Sequence, residues 1–227
     1  MNGRDLAVVQ GWADTRATLR AWNADPGAVL GRWVLLAGLI TAGLLSAVLV
    51  IASLSTPDPT PMLLPGVTTE AGWSNVGEVV FRNTLVLALH SLACLAGFIA
   101  KSSLPIEAAT YRGRWRAVHD VAGPAAIAFV TGATLFSLGT QATVLGGGLS
   151  TLGWQLDMTP AALLGVLSIH AVPELVALFL PLAAWLVAAR AGAWEQLMAA
   201  TIVTTVLAFP VLVVAALVEV FVTPRFL

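Results

Sequence analysis

The sequence predicts an all-α membrane protein: a polytopic transmembrane helix bundle of five spans, one broken or preceded by a re-entrant helix, with the N-terminus in the cytoplasm and the C-terminus outside. Three observations carry that expectation. Of 227 residues, 58% are hydrophobic and 10% charged, and the mean hydropathy is +0.89; a soluble domain carries about 25% charged residues. Apolar stretches at about 33–54, 81–100, 121–144, 161–189 and 197–222 each reach the roughly 17–25 residues needed to cross about 30 Å of hydrocarbon. Lipid offers a backbone amide no water, so helices are the expected form. The third observation is where the cations fall. Arg4, Arg16, Arg20 and Arg32 precede the first stretch, Lys101, Arg112, Arg114 and Arg116 separate the second from the third, and Arg190 separates the last two. Loops 55–78 and 145–158 hold Asp58, Glu70, Glu78 and Asp157 but no Lys or Arg. The positive-inside rule then gives the N-in, C-out orientation. Arg82 and Arg225 sit at the outer edge, where a long side chain can snorkel.

Residues 1–31 are read as a cytoplasmic amphipathic segment ahead of a bundle over 32–227. Within 5–23, Val8, Trp12, Leu19 and Trp22 share one face at helical spacing, with Thr15 between them. A short helix on the membrane surface is expected, with Arg16 and Arg20 as candidates for contact with a cytoplasmic partner such as an ATPase. The segment is too long and too acidic for a signal-peptide n-region, so the first span is read as retained. The first outer loop has Pro57, Pro59, Pro61 and Pro65 and is expected to be extended or turn-rich. Trp33, Trp115, Trp185 and Trp194 fall near the inner interface, Trp73 and Trp154 near the outer one, as an aromatic belt does.

In the basic loop, Arg112, Arg114 and Arg116 suit anionic headgroups or a protein partner, and His119 reads as solvated. Ala93 and Gly97 in the second span, and Gly132 and Gly139 in the third, read as ordinary close packing between membrane helices. Gly146, Gly147, Gly148 and Gly153 each weaken a helix by about 1 kcal/mol. They predict that the third span ends near Val144 and that the chain then turns.

The fourth stretch opens with Thr159 as N-cap and Pro160 at the first helical position. Within it lies "SIHAVPEL", 168–175, which places a histidine, a proline and a carboxylate deep in an apolar run. Pro173 removes a backbone donor and opposes the carbonyl of Ile169. Either one kinked helix crosses, or a re-entrant helix over 160–171 precedes a second helix from Pro173; the broken arrangement is the favoured expectation. His170 and Glu174 are four apart and share a helix face. Glu219 stands near the outer end of the last span, so Glu174 and Glu219 both fall in the outer half of the bilayer and can meet. His90, midway along the second span, is the candidate fourth member.

Three readings of this cluster stay open: a buried polar lock, a transport or proton-relay site, and a metal or hydrolase site. The spacing H-x-x-x-E is not the H-E-x-x-H of zinc proteases, and no Gly-Ser elbow is present. Cys94 is the single cysteine, which excludes an intrachain disulfide or a multi-thiolate metal site. No catalytic residue, metal, cofactor or nucleic-acid partner is expected. The expected partners are the bilayer and other membrane or membrane-associated proteins, a second copy of the chain among them.

The stretch "IHAVPELVALFLPLAAWLVAAR" and the closing "AALVEVFVTP" resemble the stage II sporulation protein M family of polytopic membrane proteins. His170, Glu174, Glu219, Phe221, Thr223 and Pro224 match its motifs. The run "LGTQATVLGGGLSTLG" is similar to the family's Gly-Thr and Asn-Gly turn, with Gly147-Gly148 in place of Asn-Gly. "FRNTLVLALHSLACLAGF" resembles its Asn-containing span entry, with Arg82 and Thr84 as departures. The resemblance covers roughly 132–225, is weaker over 80–100 and is absent from the first 70 residues. It implies a non-enzymatic membrane component, a scaffold for extracytoplasmic partners, in a family whose relatives often accompany ABC-type ATPases or permeases.

Overall fold

A computed structural model describes residues 7–104, 109 and 111–227, and the side chains of these apart from 7–10, 102 and 103. Arg4, Asp5 and the stretch 105–108 lie outside the described residues, as does the Val8 side chain. Among the described residues six α-helices form: α1 (Ala7–Trp22), α2 (Pro26–Leu54), α3 (Trp73–Phe98), α4 (Arg114–Gln155), α5 (Pro160–Ala191) and α6 (Leu197–Phe221). No strand occurs among the described residues. Five of the helices are long and apolar enough to cross a membrane, so the chain is a multi-pass membrane protein.

The helix starts follow local capping chemistry. Asp25 Oδ1 accepts the Ala28 N–H at 3.0 Å, and Pro26 takes the first helical position. The first membrane helix therefore begins seven residues before its apolar stretch does. Thr159 Oγ1 accepts the Ala162 N–H at 3.2 Å, and α5 starts at Pro160 as expected.

Two expected interruptions do not occur. The glycine run does not end the third span: α4 continues through Gly146, Gly147, Gly148 and Gly153 to Gln155, 42 residues in all. At 1.5 Å per residue that is about 63 Å, twice the hydrocarbon thickness. A glycine costs about 1 kcal/mol in a helix, but a break exposes several backbone groups that lipid cannot satisfy. At Gly146 the missing side chain has a use, because a Cβ there would stand 2.6 Å from Ile51 Cγ2 and 3.1 Å from Val48 O. The helix stops where Asp157 takes a left-handed φ of 54° and the Met158 N–H turns back to Gly153 O at 2.8 Å.

Nor does Pro173 break the fourth span into a re-entrant helix and a second one. α5 is continuous from Pro160 to Ala191. A lone proline forfeits one hydrogen bond, whereas a break at this depth would forfeit several. Pro124 in α4 and Pro210 in α6 are likewise carried inside unbroken helices.

The chain divides into two compact units, each assembled from pieces of several helices. Unit 1 comprises Met1–Leu36, Leu87–Thr134 and Leu180–Leu207; unit 2 comprises Ala37–Val86, Leu135–Phe179 and Ala208–Leu227. In unit 1, α1 docks through Gly11 and Thr15. Thr15 is buried and bonds back to Gly11 O at 2.7 Å, and a Cβ on Gly11 would meet Phe98 Cζ at 2.7 Å. Trp12, expected on the apolar face, is 48% exposed. Trp33 and Trp185, expected in the inner aromatic belt, are buried and pack edge-on against Trp22 and Trp194. Trp73, Trp115 and Trp154 are exposed, as a belt requires.

Candidate functional site

Unit 2 gathers polar and ionisable side chains from three helices. α5 supplies His170 and Glu174, one helical turn apart on one face. α3 contributes Arg82 and Asn83, and α6 contributes Glu219, with Thr223 just beyond its last turn. All of these residues belong to the same unit.

His170 is buried, and its Nδ1 shares a hydrogen bond of 2.8 Å with Oγ1 of buried Thr223. That bond spans 53 residues and ties α5 to the segment that ends α6. Glu174 is half-buried, with the Asn83 amide and the Glu219 carboxylate as its electrostatic neighbours. The Asn83 Nδ2 is buried beside this carboxylate. Glu219 is also half-buried and lies within electrostatic reach of the Arg82 guanidinium. Arg82 in turn pairs with Glu78 one turn earlier on α3. The result is a run of ionisable groups, Glu78–Arg82–Glu219–Glu174, each within electrostatic reach of the next.

The rest of this end of the unit is packed to hold these groups. Val76, Ala216 and Val220 form a buried core with Val79, Val80, Leu217 and Phe221 against it, joining α3 to α6. Trp73 meets Phe221 edge-on at 5.4 Å. Gly66, with φ of 82°, brings the loop so near the C-terminal segment that a Cβ would stand 2.6 Å from Pro224 Cγ and 3.1 Å from Val220 O. Only glycine adopts that backbone without strain.

Of the expected members, His170, Glu174 and Glu219 fall in this unit. His90 is buried, but it lies two turns further along α3 from Asn83 and belongs to unit 1. Pro173 is exposed on the surface of α5 and leaves the helix intact. Reading the sequence alone missed Arg82 as more than an edge cation, and gave Asn83 no role. Their signal was an adjacent Arg-Asn pair at the start of an apolar stretch.

The basic candidates lie apart from the cluster. Arg16 is exposed and sits over the Trp12 ring at 5.5 Å, and Arg20 is exposed. Arg112, Arg114 and Arg116 are exposed, and Arg116 approaches Asp120 at 3.8 Å. His119 bonds the Trp115 carbonyl at 2.8 Å and stacks on Tyr111. Among the described residues no cluster of three or more His, Cys, Asp or Glu stands close enough to hold a metal ion.

The chain matches no protein-family model, no curated protein and no solved structure.

Proposed function

We propose that this chain is a non-enzymatic subunit of a larger complex in a prokaryotic plasma membrane, acting as a scaffold that recruits partners. The resemblance to stage II sporulation protein M supports that reading, with the N-in, C-out orientation drawn from the charge pattern. The observation that carries it is the surface of α4. Only 6% of its most apolar stretch is buried, against 22% to 39% in the other four membrane helices. Gly132 and Gly139 on it have nothing within 4 Å of a would-be Cβ. Small residues let another backbone approach closely where no hydrophobic force acts between helices.

The test is purification from native membranes into nanodiscs, with mass determination of the particles. The 23.5 kDa chain is expected in a defined assembly with a partner or a second copy. Gly139→Leu, which fills open space, should dissolve that assembly without lowering thermal stability. Particles holding a single copy and no other chain would overturn the reading.

A second reading is a permease-like subunit of an ABC-type transporter, coupled to a cytoplasmic ATPase. It is favoured by α1, which docks through Gly11 and Thr15 and leaves Trp12, Arg16 and Arg20 exposed. A copurifying nucleotide-binding chain whose ATPase activity is lost in Glu174→Gln selects transport. A purified assembly without such a chain selects the scaffold.

A further inference from the structure

Unit 2 also carries an open cleft of about 620 Å3 between the loop that follows α2 and one face of α4, with Asp58 exposed in it. Small-molecule sites run from about 300 to 1,000 Å3. Its floor is the bare helix surface at Gly147 and Gly148, where a Cβ would meet nothing within 4 Å. A ligand can therefore lie directly on backbone. Thr56, Asp58, Thr60 and Met62 line its wall.

The wall is fixed in place. Ser150 Oγ donates to Ser55 O at 3.1 Å, and the Asp58 N–H donates to Thr151 Oγ1 at 3.0 Å. Gln155 clamps the loop twice, accepting the Met62 N–H at 3.1 Å and donating to Thr60 O at 2.8 Å. These four bonds each span 93 to 95 residues. A loop with four prolines is thereby held as a rigid rim, and a fixed rim spares a ligand the cost of ordering it.

The charge of the cavity has one sign. Among the described residues that line it, Asp58 alone is charged. The Thr60 N–H, 2.8 Å from Asp58 Oδ1, and the Thr60 hydroxyl hold that carboxyl below the usual carboxylate range. Positions 55–81 contain no Lys or Arg. Gln155 also closes α4, so the carbonyl end of that helix, with its partial negative charge, lies at the same rim.

We propose that this cavity binds a small aliphatic amine, its ammonium on the Asp58 carboxylate and neighbouring threonine hydroxyls and its carbon chain over Gly147 and Gly148. An ammonium offers three donors and no acceptor, which suits a wall of one carboxylate and hydroxyl oxygens. The glycine floor suits methylenes.

The test uses the full chain in nanodiscs at pH 7 with putrescine as the probe, followed by calorimetry. Saturable binding at one site per chain is expected. Asp58→Asn should weaken it at least tenfold while keeping the Thr60 N–H contact to Oδ1. Gly148→Phe fills the floor and leaves the carboxylate, and should weaken binding to a similar extent. Glu70→Gln, in the same loop but off the cavity lining, should leave binding unchanged. The proposal is overturned if putrescine does not saturate, if Asp58→Asn binds within twofold of the native chain, or if a neutral sugar such as trehalose binds more tightly than putrescine.

Discussion

The two compact units solve the same problem, holding helices together in lipid, with different chemistry. Unit 1 relies on close approach and neutral bonds. Gly97 admits the Trp185 indole and Leu197, and Gly123 admits the Ala100 carbonyl. Ser91 and Thr205 hydroxyls meet at 3.0 Å, and the Cys94 thiol donates to Pro181 O at 3.0 Å. Unit 2 also uses close approach, at Gly146 and Gly66, but it adds His170, Glu174, Glu219 and Arg82. Ionisable side chains are a costly way to join membrane helices when hydroxyls and glycines serve. The grouping of two carboxylates, an arginine and a buried histidine in unit 2 is the reason to look for activity there; unit 1 buries one such ionisable side chain, His90.

The comparison can be broken most forcefully at Gly123. A Cβ at this position would stand 2.7 Å from Ala100 O, a backbone atom that cannot rotate away. Gly123→Val should cost about 1–3 kcal/mol through overpacking, read as the midpoint of SDS-induced unfolding in mixed micelles. Gly132→Val, on the same helix with nothing within 4 Å, is the control and should unfold within about 0.5 kcal/mol of the native chain. Equal losses at both positions would mean that unit 1 is not held by close approach.

A smaller contrast sets one hydroxyl bond in each unit against the other. Thr223→Val removes the partner of the buried His170 Nδ1. The buried imidazole nitrogen loses this partner, so the loss should be about 1–3 kcal/mol, the penalty for an unsatisfied buried polar group. Thr205→Val removes the partner of Ser91. A helical serine can bond back to the carbonyl four residues earlier, so this change should cost about 0.6 kcal/mol, the average for membrane hydrogen bonds. If the Thr205 variant proves the weaker of the two, the polar cluster is not what fastens the end of α6.

How far the sequence carried can be read from the same residues. The five apolar stretches and the Thr159 start of α5 were legible because span length and capping are local properties. Pro173 and the glycine run misled because their local penalties, one bond or about 1 kcal/mol each, are smaller than the cost of open backbone in lipid. The docking face of α1 was not legible for a related reason. Trp12 and Leu19 carry the apolar signal, yet Gly11 and Thr15 make the contact, since a neighbouring helix selects for small size there. Arg82 and Asn83 were legible only as an entry to a span; which helix face meets α6 is a tertiary fact.

The finest test lies within one ion pair. Arg82 and Glu78 are one turn apart on α3, with side chains 69% and 56% exposed. Exposed i,i+4 pairs contribute about 0.3–0.5 kcal/mol, so Glu78→Gln should shift stability by no more than that and the shift should shrink in high salt. Arg82 differs because it also faces the half-buried Glu219, where solvent screens less. Arg82→Gln should therefore cost more than Glu78→Gln, and the excess should persist in high salt and vanish in a Glu219→Gln background. Were the two single variants to match in every salt, Arg82 would be only a solvated end of α3, and the run of ionisable groups would stop at the two carboxylates.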